Sequence, residues 1–219
     1  MLDDKLKALW ARISPPQKAA FFGCFLSGYL VHLYVFTNII PNSDGLSRIF
    51  DPQQMTVSGR WFLHFASYFN GFTQMPAVIG LSSVLFLALA AALAVSVLGI
   101  RSRALSALSG ALMAAFPAVG YTFLYLFTAS AYCFAIFWAV LSVSLARRGR
   151  WHWLAGCLLL ACSMGTYQAY VTVAIGLSLL VIFRETLDPS ASFSATLRLG
   201  VRLMLFLAAG AVLYYGILL

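Results

Sequence analysis

The chain has 219 residues, of which 62% are hydrophobic and 9% are charged, and its net charge is +8. Soluble globular domains contain about 25% charged residues, so this composition excludes a soluble fold and indicates a polytopic α-helical membrane protein. The apolar runs are continuous, whereas the strands of a membrane β-barrel alternate apolar and polar residues, so a barrel is excluded as well.

The first 18 residues are predicted to form a cytoplasmic amphipathic segment. Apolar side chains recur there at helical spacing, and they are Leu2, Leu6, Leu9 and Ile13. No small-residue cleavage site follows, so the segment does not have the pattern of a signal peptide. We expect a short interfacial helix that ends at Pro15 and Pro16, followed by a transmembrane domain over residues 19–219.

The apolar runs predict about seven transmembrane helices. Basic residues lie at the ends of these runs, where they orient helices in the membrane, so the positive charge does not indicate nucleic-acid binding. Residues 104–146 are long enough for two helices, with a break near residues 117–121 where proline and glycine interrupt the pattern. The predicted spans are residues 19–40, 76–100, 104–121, 125–146, 151–166, 168–184 and 199–219.

The uncharged stretch after Arg150 admits one tilted helix or two short ones. A single helix would place Arg184, Arg198 and Arg202 on the outer side, whereas two helices keep every basic cluster inside, as the positive-inside rule favours. Helices this short reach only about 24 Å. We therefore expect their junction, at residues 164–169, to lie within the protein or at a cavity and not in lipid.

The long outer loop, residues 41–75, is predicted to be extracytoplasmic and to contain a helix lying on the membrane. Residues 60–70 sort onto two faces at 100° per residue. The aromatic face is predicted to face the membrane and the polar face a cavity. The aromatic face holds Trp61, Phe62, Phe65, Tyr68 and Phe69, and the polar face Arg60, His64, Ser67 and Asn70.

The same loop contains four charged residues: Asp44, Arg48, Asp51 and Arg60. One interpretation is a set of solvated Arg–Asp pairs. The other is a site for a phosphate-bearing lipid, because arginine binds phosphate in a bidentate manner and a carboxylate can act as a base or a metal ligand.

Tyr167 and Gln168 are the most polar pair in the later spans, and they are interpreted either as an interhelical hydrogen bond or as a sugar contact.

Two short motifs stand out: Ser-Gly-Arg-Trp-Phe at residues 58–62, after an aspartate in the first outer loop, and Gly-Thr-Tyr-Gln-Ala at residues 165–169. With these motifs the chain resembles the serotype-converting O-antigen glucosyltransferases, the Gtr type II membrane family. The resemblance implies a GT-C-like helix bundle in the bacterial inner membrane. It also implies transfer of a sugar, expected to be glucose, from a polyprenyl-phosphate donor to a periplasmic glycan such as the O-antigen of lipopolysaccharide.

By the same resemblance, Asp44 is the catalytic base, with Asp51 as the second choice, and Arg48 or Arg60 holds the donor phosphate. His64, Tyr167 and Gln168 are the further candidate substrate contacts. The resemblance also leads us to expect that this chain is the N-terminal part of a longer protein. The cofactor is left open, since a divalent metal is possible but no clear metal site is identified.

Two other function classes stay open: a transporter or flippase for a lipid-linked sugar, and a non-catalytic membrane scaffold. Transporters tend to carry ionisable residues at mid-membrane and internal repeats. Neither feature is evident in this sequence. A scaffold would tolerate alanine at Asp44, Arg48 and Arg60.

The four cysteines lie inside apolar runs without metal-ligand spacing and are interpreted as apolar side chains.

Overall fold

The computed structural model describes residues 2–40, 44, 58–70 and 75–219. Within these residues the secondary structure is helical throughout, as the composition predicts. Two 3-10 turns, Ser67–Asn70 and Gln168–Tyr170, accompany the α-helices. The α-helices are α1 Leu2–Arg12, α2 Pro15–Thr37, α3 Leu63–Ala66, α4 Pro76–Leu98, α5 Arg103–Ala115, α6 Pro117–Leu124, α7 Leu126–Ala146, α8 Arg150–Thr166, α9 Val171–Thr186 and α10 Phe193–Leu218.

The membrane-spanning character of the fold is confirmed. In the described part of the chain, five helices are long and apolar enough to cross a membrane, namely α2, α4, α7, α9 with its preceding 3-10 turn, and α10. The bent pair of α5 and α6 makes a sixth. The remaining predicted span is α8, which has 17 residues and reaches only about 25 Å at about 1.5 Å per residue.

The N-terminal helix forms as predicted, but the two prolines begin the next helix and do not end the first one. Helix α1 stops at Arg12, and Ser14 caps α2 in a capping box with Gln17. Proline suits the first turn of a helix because its missing N–H would have no intrahelical partner there. Lys18 lies 4.5 Å from the ring centre of Trp10, so α1 folds back against the start of α2.

Helix α2 packs closely against α5 through small residues. A Cβ on Gly23 would clash with the Ala107 carbonyl of α5, and a Cβ on Gly110 would clash with the Ala20 carbonyl of α2. Small residues let two helix backbones approach in this way inside a membrane, where association depends on van der Waals packing. This contact fixes the first span against the bent one.

The predicted break near Pro117 is present, but it bends one span and does not separate two. Helices α5 and α6 meet at Phe116 at an angle of 42°, and Pro117 opens α6. The break frees backbone carbonyls of α5, and the ring nitrogen Nε2 of His32 lies 2.9 Å from the Ala114 carbonyl oxygen. His32 is therefore a satisfied interior histidine that donates to a carbonyl which lipid could not satisfy.

The basic residues after α4, α7 and α9 gather at one end of the bundle, which we call the basic end. Arg147 donates to the Val97 carbonyl at 2.8 Å, Arg202 donates to the Ala146 carbonyl at 2.7 Å, and Arg184 packs on Gly99. Burial lowers the pKa of Arg147, and the positive charge of Arg184 lowers it further. Positive charge is therefore concentrated where the helices α4, α7, α9 and α10 meet.

Candidate functional site

Residues 58–62 of the outer loop dock on the break between α8 and α9, at the end of the bundle opposite the basic end. The backbone N–H of Phe62 donates to the Gly165 carbonyl at 2.7 Å. The Trp61 ring covers Gly165 so closely that a Cβ there would lie 2.6 Å from a ring carbon. Any side chain at position 165 would therefore collide with the Trp61 ring. The two short motifs recognised in the sequence are in direct contact.

A small hydrogen-bonded network, which we call the latch, holds the same loop from the other side. Gln168 donates through Nε2 to the Ser58 carbonyl at 2.6 Å and to the Tyr214 hydroxyl at 2.9 Å. Tyr214 in turn donates to the Gly59 carbonyl at 3.0 Å. Gly59 has a φ of +72°, a left-handed conformation that favours glycine. The latch joins the loop, the break and α10.

The latch limits what Gln168 can do for a substrate. A primary amide has two N–H donors and one carbonyl acceptor, and both donors of Gln168 are used by Ser58 and Tyr214. Gln168 can therefore contact a sugar only through its oxygen. The junction at residues 164–169 lies largely within the protein, as expected, since Met164, Gly165 and Thr166 are buried.

Arg60 extends into a group of tyrosines next to the latch. Its Nη1 donates to the Tyr132 hydroxyl at 3.3 Å, and its guanidinium carbon lies 4.8 Å from the ring centre of Tyr167. Tyr132 and Tyr167 are stacked at 5.2 Å with an interplanar angle of 26°. Tyr170 meets Tyr167 edge-on at 5.5 Å. We call these three rings the tyrosine cluster.

This arrangement combines a positioned cation with amphipathic rings. A guanidinium over an aromatic face is held by cation–π attraction, and its planar fork of donors fits the oxygens of a phosphate. Tyrosine rings offer an apolar face and a hydroxyl for hydrogen bonding. Arg60 and the tyrosine cluster can therefore bind a ligand that carries both a phosphate and a hydroxylated ring.

The predicted helix of the outer loop is present but shorter than expected, and its predicted polar residues do not share one face. The segment is helical only from Leu63, as the four residues of α3 followed by a 3-10 turn. A change of helix type alters the angle per residue, so the faces differ from the predicted ones. The buried side chains are Leu63, Ala66 and Ser67, and the exposed ones include His64, Phe65, Tyr68 and Phe69.

His64 is separated from the buried side of this segment. Its ring lies 5.7 Å from that of Phe65 and 5.6 Å from that of Tyr68. Ser67 is buried, and its hydroxyl donates to the Leu63 carbonyl at 2.7 Å. The predicted polar face is therefore split, with Arg60 on the bundle side and His64 on the exposed side.

The structure describes Asp44 as an exposed residue in a helical conformation. Arg48 and Asp51 lie outside the described residues, so the predicted grouping of the loop charges stays a prediction.

Among the residues that the structure does describe, no group of three His, Cys, Asp or Glu side chains is arranged to hold a metal ion. The cysteines Cys24, Cys133, Cys157 and Cys162 are all free thiols.

Sequence reasoning missed three tyrosines of this site: Tyr132, Tyr170 and Tyr214. Tyr132 lies inside an apolar run, two residues after Ser130, and Tyr214 lies near the end of another apolar run. A tyrosine in an apolar run suggests a hydrogen bond inside the protein, because a buried tyrosine hydroxyl usually finds a partner. The sequence does not identify that partner, because these tyrosines lie in spans far apart in the chain.

Comparison with known proteins agrees with the two motifs. Neither a search of curated proteins nor a search of solved structures gave a match. A family model described as Glucosyl transferase GtrII matches residues 33–219, which is most of the chain. The match includes the outer loop, the break between α8 and α9, and α10. The chain therefore belongs to the GtrII glucosyl transferase family.

Proposed function

We propose that the chain transfers glucose from a polyprenyl-phosphate donor to a hydroxyl of a periplasmic glycan such as the O-antigen of lipopolysaccharide. The observation that carries this proposal is the contact between its two family-like motifs. Residues 58–62 and 165–169 are more than 100 positions apart, yet they are joined by the Phe62–Gly165 backbone bond and by the Gln168–Ser58 bond. Arg60 and Tyr167 meet at this contact.

The distribution of charge supports an outward-facing site. Arginines cluster at the basic end, and the positive-inside rule places such an end in the cytoplasm. The loop end then faces the periplasm of a bacterial inner membrane, with the N-terminus inside. A polyprenyl chain would lie in the bilayer and present its phosphate at the membrane surface, which is the level of Arg60 in this orientation.

The proposed reaction is a single displacement within a GT-C-like bundle. The acceptor oxygen forms a bond to the anomeric carbon of glucose, while the bond from that carbon to the phosphate oxygen breaks and its electron pair stays on the phosphate. Asp44 takes the acceptor proton as general base, with Asp51 as the second candidate. Arg60, with Arg48 as a further candidate, stabilises the charge on the departing polyprenyl phosphate.

The remaining candidate residues position the sugar. Tyr167 stacks with Tyr132 beside Arg60, so a sugar attached to a phosphate at Arg60 lies within reach of this pair. The carbonyl oxygen of Gln168 can accept from a sugar hydroxyl. His64 lies on the exposed side of residues 60–70, so its proposed role is to contact the acceptor and not the donor. A divalent metal at the loop carboxylates is the alternative to a metal-free base.

Transfer of radiolabelled glucose from the polyprenyl-phosphate donor to lipopolysaccharide, in membranes containing the full gene product, tests the proposal. Asp44→Asn is expected to lower transfer by about 10²- to 10⁴-fold, the usual contribution of a general base. The matched control is Asp188→Asn, because Asp188 is an exposed carboxylate outside the outer loop that accepts hydrogen bonds from the backbone N–H and the hydroxyl of Ser190. Chelation of divalent metal by EDTA separates the base role of the carboxylate from a ligand role.

The competing classes give different results in the same assay. If neither Asp44→Asn nor Asp51→Asn changes transfer, the assignment of the base is overturned. If the parent protein moves lipid-linked glucose across the membrane without transfer to an acceptor, the flippase interpretation replaces the enzyme. A scaffold predicts that Arg60→Gln is also tolerated. The matched control for that variant is Arg103→Gln, an exposed arginine at the basic end.

A further inference from the structure

A groove of about 570 Å³ lies between α8 and α10 at the basic end. Three of its lining residues are arginines, Arg150, Arg198 and Arg202, and much of the rest is apolar. The apolar floor includes Trp153, Val201 and Leu205. The three arginines form a cationic rim, and of the lining residues on α10 Leu205 lies furthest along the helix, one turn beyond Val201 and Arg202, so the apolar floor extends past the arginines toward the middle of the bundle.

Two of the three arginines are held in place by uncharged groups. Arg198 donates through Nε to the Ser194 carbonyl at 3.2 Å, and Arg202 donates through Nε to the Ala146 carbonyl at 2.7 Å. Backbone carbonyls carry no formal charge, so these bonds orient the guanidiniums without neutralising them. The Trp153 indole N–H donates to the Arg202 carbonyl at 3.4 Å, which ties α8 to α10 beside the rim.

We propose that this groove binds an anionic glycerophospholipid, with its phosphate on the arginine rim and an acyl chain along the apolar floor. The planar donor fork of arginine fits phosphate oxygens. Basic pockets between transmembrane helices are suited to anionic headgroups, and tryptophan favours the level of the headgroups. The groove therefore offers both halves of such a lipid a matching surface.

An apolar helix from elsewhere in the protein fits the groove less well. Such a helix would cover the floor, but it would also remove three guanidiniums from water without supplying negative charge, which is costly in a membrane. A lipid with one or two phosphates supplies that charge. The site is also separate from the proposed glucosyl transfer, because it lies at the opposite end of the bundle from Arg60.

Helix α10 provides an internal comparison. A second groove of about 640 Å³ lies on the neighbouring face of α10, against α9; it shares Leu197 and Val201 with the first groove, and its lining contains Glu185 and no arginine. Met204 lines this second groove and Leu205 lines the first. Both side chains are exposed, by 62% and 54%. Adjacent positions on one helix therefore allow each groove to be filled separately.

Native mass spectrometry of the purified full chain with added phosphatidylglycerol tests the proposal. We expect one tightly bound phosphatidylglycerol and much weaker binding of phosphatidylcholine. Each guanidinium removed near a membrane surface is expected to weaken binding about fivefold, so Arg150→Gln with Arg198→Gln should weaken it about 25-fold. Arg202 is kept because it also holds the Ala146 carbonyl. Arg103→Gln is the matched charge control.

The apolar half of the site is tested by filling the groove. Leu205→Trp should reduce phosphatidylglycerol binding, while Met204→Trp should not. Equal effects of these two variants, or no effect of the double arginine variant, would overturn the proposal. Competition by inorganic phosphate at millimolar concentration would show an ion site without a lipid site. Stronger binding of polyprenyl phosphate at the same groove would assign it to the donor, which also contradicts the proposal.

Discussion

Replacement of Gly59 by alanine tests whether the outer loop must be latched for activity. Gly59 has a φ of +72°, and a left-handed conformation costs a residue with a Cβ about 1–2 kcal/mol. The added Cβ would lie 2.5 Å from the Tyr214 hydroxyl and 2.7 Å from Nε2 of Gln168. Displacing the Tyr214 bond costs a further ~1 kcal/mol. The docked loop should thus lose about 2–3 kcal/mol, or up to roughly 100-fold in its equilibrium with an open state.

Hydrogen exchange of the Phe62 amide measures this equilibrium directly, because that N–H is bonded to the Gly165 carbonyl only when the loop is docked. We expect Gly59→Ala to speed its exchange by up to ~100-fold and to reduce glucosyl transfer in parallel. Gly176→Ala is the matched control, since a Cβ there meets nothing within 4 Å. Unchanged Phe62 exchange in Gly59→Ala would refute the latch, whatever happened to activity.

Three further substitutions test other contacts by thermal unfolding in detergent, with Gly176→Ala as the common reference. Tyr214→Phe keeps the ring but loses the bond to the Gly59 carbonyl; because the outer loop can open without unfolding the helices, transfer should fall while the unfolding temperature changes little, and unchanged transfer would contradict the role of this bond. His32→Ala leaves the Ala114 carbonyl of the bent span without its donor and should destabilise by about 1–3 kcal/mol; an unchanged unfolding temperature would contradict this role. Gly110→Leu would clash with the backbone of α2, and should destabilise by about 1–3 kcal/mol or more; a stable variant would show that the two helices are not in such close contact.

The helices could be predicted because they follow from strong local signals. The arginines after α4, α7 and α9 mark where each apolar run leaves the membrane, and Pro117 cannot continue the hydrogen bonding of a helix. The uncharged stretch after Arg150 is too short for two full-length spans, so the junction between its two helices was expected inside the protein. The structure has this junction at Tyr167. The family-like motifs were also visible in the sequence, and the family match confirms the family that they indicate.

The tertiary contacts of the site could not be predicted in the same way. The hydroxyl of Tyr214 serves Gly59, and Arg60 lies on Tyr167, but no local pattern records either pairing. The faces of residues 60–70 were assigned from one helical period, whereas the segment changes helix type after Ala66. Periodicity predicts faces only when the geometry stays constant along the segment.

The latch also constrains the order in which the protein can be made. Tyr214 is synthesised 155 residues after Gly59, which at about 5–20 residues per second takes about 8–30 s. For most of that interval the outer loop has already left the ribosome, while the hydroxyl that holds its glycine does not yet exist. The site therefore assembles only when the last described helix enters the membrane, so a nascent chain interrupted before α10 would present the loop but not the latched site.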